Sequence, residues 1–175
     1  MTYAPLGRIL IINGKATSPA KNNRINTMFT LQETLIINQA KDIIAAQLVT
    51  GTAFTSPSAV KDFCLFELGF LQHEVFAVIF LNQRHQMIAF DQMFRGTIDG
   101  ASVYPREVAK AALAHNAAAV IFTHNHPSGV ADPSQSDERI TSRLVDALGL
   151  FDIRVLDHII VGKDTAVSFA DRGLL

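Results

Sequence analysis

The chain has 175 residues, of which 49% are hydrophobic and 18% charged, and its 15 Lys and Arg nearly balance its 16 Asp and Glu. This length and composition are typical of one folded domain with a buried core, and they exclude a disordered or membrane-spanning chain. The balanced charge does not support general nucleic-acid binding, and the single cysteine, Cys64, excludes an internal disulfide. The apolar run at residues 9–12 is too short for a secretory signal, so we expect a cytoplasmic protein with no membrane partner.

The first 72 residues are predicted to support the fold rather than to carry chemistry. Residues 1–30 show no convincing period and are predicted to form an arm that docks elsewhere. Residues 31–72 are predicted to form two helices that pack on the core. The second of these starts at Ser56-Pro57, with proline at a permitted first-turn position, and is interrupted at Gly69. The first is indicated by apolar residues at helical spacing, namely Leu35, Ile36, Ala40, Ile43, Ile44 and Leu48.

Residues 73–175 are predicted to form the functional domain. Two helices are predicted there, one from Pro105 and one from Ser134 to about Leu148. The predicted extended stretches, in chain order, are 75–82, 86–90, 91 or 92 to 97, a strand ending at His124, 153–161 and 166–169. Because helices and strands mix without strict alternation, we predict an α/β sandwich with a mixed, largely antiparallel sheet flanked by helices.

The most informative segment contains two histidines and, after a loop, an aspartate. His124 and His126 follow a short apolar strand, and its two-residue alternation places both side chains on one face. Pro127 and the residues after it end the strand, Ser134 is a natural helix N-cap, and Asp137 falls in the first helical turn. Two imidazoles and one carboxylate leave a fourth position open on a tetrahedral Zn²⁺, which is the arrangement of a catalytic metal site.

Each part of this pattern also has an ordinary structural interpretation. A histidine at a strand end is usually just partly buried, and Ser-x-x-Asp before an apolar helix is by itself a capping box. The combination of paired histidines, a tight turn and a capped helix that carries a carboxylate favours the metal site. The string His124-Asn125-His126 is not the HNH nuclease signature, whose three residues lie far apart in sequence.

His-x-His-Pro followed by Ser-x-x-Asp, with seven residues between His126 and Ser134, resembles the JAMM motif of the MPN/JAB-domain metalloproteases. From about Glu74 to the C-terminus the sequence resembles the RadC-like branch of that family. The stretches that carry this resemblance are 94–97, 101–108, 124–129, 153–158 and 167–170. It implies an MPN/JAB-like (cytidine-deaminase-like) sandwich for residues 73–175. Full-length RadC proteins carry a helix-hairpin-helix region ahead of this domain, and because the chain is too short for one we expect a stand-alone form.

The family pattern also requires an upstream glutamate, and the matching position is Glu74. The resemblance, rather than the composition, selects Glu74 over Glu67 or Glu107. Zinc lowers the pKa of a water molecule that it binds, and a carboxylate beside it can take the proton and later pass it to a leaving group. Ser134 would then cap its helix and also donate a hydrogen bond to the developing oxyanion.

These residues predict a Zn²⁺-dependent hydrolase in which His124, His126 and Asp137 hold the metal. The resemblance implies a metallopeptidase that acts on a peptide or isopeptide bond of a peptide or protein substrate. Two other functions stay open: a nucleic-acid role, because RadC-like proteins have been linked to DNA repair and mobile elements, and a non-catalytic interaction module. A zinc nucleoside deaminase is excluded, because it needs a Pro-Cys-x-x-Cys segment and this chain has a single cysteine. The oligomeric state, a homodimer included, stays open.

Three further residues are candidates for lining a substrate groove, and one of two neighbouring residues is a candidate for a role beside the metal. Arg95, Tyr104 and Arg106 lie in family-like stretches and are candidates for lining a substrate groove. Asp157 and His158 are neighbours on a predicted strand, so at most one of them points at the metal. We expect that residue to pack or to orient a ligand imidazole.

Overall fold

The computed structural model describes residues 30–49, 56–96 and 102–175. The helices are α1 (Leu31–Val49), α2 (Pro57–Leu68), α3 (Pro105–Ala114), α4 (Gln135–Gly149) and α5 (Phe169–Arg172). The strands are β1 (Val75–Leu81), β2 (Met87–Arg95), β3 (Ala119–Asn125), β4 (Arg154–Val161) and β5 (Ala166–Ser168). The predicted N-terminal arm, up to residue 29, lies outside the described residues.

The five strands form one sheet in the order β2-β1-β3-β4-β5. All neighbours pair antiparallel except β3 and β4, which are parallel. A parallel pair needs a crossover between its strands, and α4 supplies it. The structure therefore confirms the predicted α/β sandwich with a mixed, largely antiparallel sheet flanked by helices.

The central strands β1 and β3 are buried along their whole lengths because both faces of the sheet are covered. On one face α2 packs against the sheet through buried apolar residues that include Phe63 and Leu68. On the other face α3 and α4 pack against Phe76 and Phe122, among others. His124 follows Phe122 by two residues, so strand alternation places it under α4.

One predicted stretch is not a separate element in the structure, and the ends of several predicted strands shift by one residue. The stretch predicted from residue 91 or 92 to 97 is not a separate element, since β2 runs without a break from Met87 to Arg95. Asp91, where the division was predicted, pairs with Val78 in this edge strand, and its carboxylate lies 2.8 Å from His115 Nε2. The last predicted strand ends one residue early, because Ser168 caps α5 and accepts a hydrogen bond from the backbone of Asp171 at 3.0 Å.

Helix α1 has the predicted position but not the predicted packing at three residues. Leu35, Ile36 and Ile43 are 61%, 59% and 61% exposed, so these side chains do not pack on the core. Helical spacing shows which residues share a face, but it does not show what covers that face. No helix in the described ranges combines the length and the apolar character that a membrane crossing requires.

Cys64 is fully buried on α2, as expected of a small apolar core residue. Burial raises the pKa of its thiol to about 12. The thiol is therefore protonated at neutral pH in this apolar surrounding.

Candidate metal centre

The three predicted ligands converge where β3 ends and α4 begins. His124 is the next-to-last residue of β3 and pairs with Phe76 and Ile160 on its two neighbours. The backbone N–H of His126 donates to the Val161 carbonyl at 2.8 Å, so the pairing continues past the end of β3. Strand alternation therefore holds from His124 to His126, and both rings face the first turn of α4.

The ligand atoms of these residues lie within 4.8 Å of one another. The two Nε2 atoms of His124 and His126 are 3.0 Å apart. Asp137 Oδ1 lies 3.2 Å from His124 Nε2, and Asp137 Oδ2 lies 3.6 Å from His126 Nε2. The structure thus brings together all three residues that the sequence selected as ligands.

Hydrogen bonding fixes which nitrogen of His126 faces this cluster. His126 Nδ1 lies 2.8 Å from the Val130 carbonyl, and a carbonyl only accepts, so Nδ1 carries the hydrogen. Nε2 of the neutral ring then presents a lone pair toward His124 and Asp137. Lone pairs and a carboxylate this close repel one another unless a cation or a shared proton lies between them. Two imidazole nitrogens and a carboxylate oxygen are a donor set that fits Zn²⁺.

The electrostatics of the cluster keep the aspartate ionised. Burial opposes the charged form of Asp137, but the neighbouring His124 and His126 rings and the Ser134 hydroxyl outweigh it and hold the pKa of this carboxyl well below its usual range. The Asp137 carboxylate in turn raises the pKa of His126 against the effect of burial. An ionised carboxylate is the form that binds a metal ion.

Ser134 and Asp137 form a complete capping box at the start of α4. Asp137 Oδ2 accepts hydrogen bonds from the Ser134 backbone N–H at 2.7 Å and from its hydroxyl at 2.6 Å. The Asp137 carboxylate thus takes part in the cap through Oδ2. Oδ1 is left to face His124. The oxyanion role of Ser134 stays a prediction, since its hydroxyl hydrogen bonds to Asp137 here.

Glu74 immediately precedes β1 and is half-buried. It lines a cavity of about 630 Å³ together with His124, His126, Ser134 and Asp137. The structure therefore places the predicted general base in the same cavity as the predicted ligands.

Asn125, between the two histidines, anchors the segment that carries Glu74. Its side-chain oxygen accepts from the Val75 N–H at 2.8 Å, and its amide donates to the carbonyls of Leu71 at 3.2 Å and His73 at 3.0 Å. Both neighbours of Glu74 are thus tied to the strand that bears the ligands. Sequence reasoning treated Asn125 as the variable residue of the motif. A polar side chain next to a buried strand must find hydrogen-bond partners, and that was the available signal.

His158 is the member of the Asp157-His158 pair that faces the cluster. Its Nε2 lies 2.8 Å from His124 Nδ1, so it is in position to orient that imidazole, and this expected role stays a prediction. Burial holds the pKa of His158 well below its usual value. Asp157 faces away and accepts a hydrogen bond from the Ser168 hydroxyl at 2.6 Å.

With this geometry established, comparison with known proteins identifies the family. A family model described as a RadC-like JAB domain matches residues 54–174. The chain belongs to the RadC-like JAB-domain family. The match begins before α2, so it includes this helix as well as the region from Glu74 onward.

Several proteins similar to this RadC-like JAB domain bear the name UPF0758. One from Leptothrix cholodnii is 51% identical over 161 residues, which is 92% of this chain and 69% of that protein. One from Thioalkalivibrio sulfidiphilus is 58% identical over 140 residues, or 80% of this chain and 62% of that protein. One from Vibrio cholerae is 54% identical over 144 residues, or 82% of this chain and 91% of that protein. These names describe no activity.

The walls of the cavity in this RadC-like domain only partly match the sequence-based candidates. Tyr104 lines the cavity, whereas Arg95 and Arg106 are not among the described residues that do. Two arginines of α4 that sequence reasoning did not select, Arg139 and Arg143, also line it. They lie four residues apart, which places them on one helix face, but that spacing does not include Asp137 and so gave no signal that this face borders the cavity.

Proposed function

We propose that this domain is a Zn²⁺-dependent hydrolase that cleaves a peptide or isopeptide bond. The observation that supports it most is the convergence of His124, His126 and an ionised Asp137 in one cavity with Glu74. A closed structural metal site would require a fourth protein ligand. In the described part of the chain the candidate group contains three.

The protein's own residues have separable roles in this proposal. Zinc, when bound, supplies Lewis acidity to a carbonyl and acidifies water. Glu74 accepts a proton from water and passes it to the leaving amine. Ser134 is able to turn its hydroxyl toward an oxyanion because its backbone N–H, 2.7 Å from Asp137 Oδ2, keeps the carboxylate in place.

The shape of the surface favours an extended substrate. A second cavity of about 530 Å³, lined also by Gln72, His73 and Ser128, shares Glu74 and His126 with the first. The first cavity has a volume of about 630 Å³. Because the two cavities meet at the proposed base and one ligand, a polypeptide lying across the site can occupy both sides. This arrangement supports a peptide or protein substrate.

The proposal is tested by incubating the zinc-loaded protein with a mixed peptide library and identifying new termini by mass spectrometry. We expect cleavage products that disappear with a chelator and return when zinc is restored. A fully zinc-loaded protein that produces no new termini from peptides or isopeptide-linked conjugates would refute the proposal and favour the interaction module. Binding to DNA with a salt dependence equivalent to several phosphate contacts would favour the nucleic-acid role instead.

Charge reversal at Arg139 and Arg143 is expected to change which peptides are cleaved. Both side chains are exposed at the cavity wall, and within the described ranges no acidic side chain forms an ion pair with either. We expect the double Arg→Glu variant to lose about tenfold in kcat/KM for peptides with an acidic residue near the cut, which corresponds to about 1.4 kcal/mol. The matched control is Arg84→Glu in the exposed turn after β1. Equal losses for acidic and neutral peptides would show that the arginines do not select substrates by charge.

A further inference from the structure

A buried chain of hydrogen bonds connects α4 through β4 to the metal ligand on β3. Thr141 Oγ1 donates to the Asp137 backbone carbonyl at 2.6 Å and lies 2.6 Å from His158 Nδ1. His158 Nε2 lies 2.8 Å from His124 Nδ1. Thr141 and His124 are each only 2% exposed and His158 is fully buried, so water does not compete for these bonds.

The hydrogen count at Thr141 fixes the direction of this chain. A backbone carbonyl only accepts, so the one hydroxyl hydrogen of Thr141 points to Asp137. Thr141 Oγ1 must therefore accept from His158 Nδ1–H. The other nitrogen of a neutral His158 is then an acceptor, and His124 Nδ1 must donate to it.

The opposite end of the chain requires the same direction. His124 Nε2 faces His126 Nε2 at 3.0 Å and Asp137 Oδ1 at 3.2 Å, so it is the atom in position to bind a cation. It does so only with a lone pair, which places the ring hydrogen on Nδ1. Both ends agree.

The surroundings of His158 show that its polarity is not needed for packing. Its ring lies against Phe76, Phe122 and Phe169, with centroid separations of 5.6, 5.9 and 4.8 Å. An imidazole among phenyl rings costs desolvation free energy unless both nitrogens have partners. A phenylalanine would fill the same space without that cost.

We propose that Thr141 and His158 are positioning residues that hold His124 in the tautomer whose Nε2 binds the metal. The chain of bonds starts at the backbone of Asp137, so it also couples the helix ligand to the strand ligand. This inference rests on the metal site of the proposed function. It adds that the His124 tautomer needed for metal binding is already fixed in the metal-free protein.

The test combines zinc affinity with ¹⁵N NMR of the histidine rings in the full chain. At about pH 8, where exposed histidines are neutral, we expect His124 of the zinc-free parent to carry its hydrogen on Nδ1. Thr141→Val, which keeps the shape and removes the hydroxyl, should weaken zinc binding about 10- to 100-fold and give a mixture of His124 tautomers. Thr141→Ser, which keeps the hydroxyl, should match the parent in zinc affinity and in the His124 tautomer. Ser142→Ala, at the next residue on an exposed face, should also leave both readouts unchanged.

His158→Phe provides a second variant, expected to match Thr141→Val in both readouts. Either variant is sufficient if the other fails to fold. The inference would be overturned if the folded variants kept both the zinc affinity and the His124 tautomer of the parent. If the parent itself bound no zinc, the proposed hydrolase would fail. The tautomer of His124 and its response to Thr141→Val would still decide the positioning role, and His124 protonated on Nε2 would refute it.

Discussion

Asp137→Asn is expected to weaken zinc binding by at least about 100-fold, the upper end of the loss known for residues that only support a ligand. Asparagine keeps the shape of the side chain and an oxygen that can accept the Ser134 N–H. It removes the negative charge that faces the two Nε2 atoms at 3.2 and 3.6 Å. The measurement is competition between the protein and a chelating dye of known zinc affinity.

Two further variants separate loss of the ligand from loss of the helix cap. Asp137→Ala removes both, so we expect it to bind zinc at least as weakly and to lose about 1 kcal/mol of unfolding free energy. Glu138→Ala, at the next residue in the same helical turn, is exposed and should retain zinc. Parent-like affinity in a folded Asp137→Asn variant would show that the carboxylate is not a ligand.

Glu74→Gln is expected to retain zinc and to lose turnover by about 10²- to 10⁴-fold, the usual contribution of a general acid–base residue. The amide keeps the size of the side chain but does not accept the proton. Glu74 lines the cavity without belonging to the ligand group, so zinc affinity should change only a few-fold. The readout is kcat on a peptide that the library experiment has identified, measured beside zinc content.

Glu107→Gln is the matched control for this experiment. Glu107 is one of the glutamates that composition alone does not separate from Glu74, and its Oε2 lies 2.8 Å from Lys110 Nζ on the solvent-facing side of α3. The Glu107→Gln variant should hydrolyse the same peptide with the kcat of the parent. Normal turnover by Glu74→Gln would assign the proton transfer to another group.

The features that sequence predicted well are those encoded within one element. Strand alternation alone is sufficient to place His124 and His126 on one face, and the Ser134 cap is sufficient to place Asp137 in the first turn of α4. Because α4 follows β3 and crosses over to β4, the first turn of α4 lies at the C-terminal end of β3. The three candidate ligands were therefore accessible from local patterns, whereas Glu74 was selected by the family resemblance.

The features that sequence missed depend on pairing between elements far apart in the chain. Asn125 bonds to residues 50 or more positions away, and Thr141 meets His158 across a helix–sheet contact. Neither residue type nor spacing reveals such partners. The same reason explains β2, where the strand was divided at Asp91, because its partner His115, just after α3, is not evident from sequence.

The most direct test of the metal centre is the zinc-edge X-ray absorption spectrum of the loaded protein. We expect about one zinc per chain, with multiple scattering from two imidazoles and nitrogen or oxygen neighbours at about 2.0–2.1 Å. The same spectrum from Asp137→Asn should show lower zinc occupancy. Zinc without imidazole scattering, or with sulfur in its coordination shell, would contradict a site built from His124, His126 and Asp137.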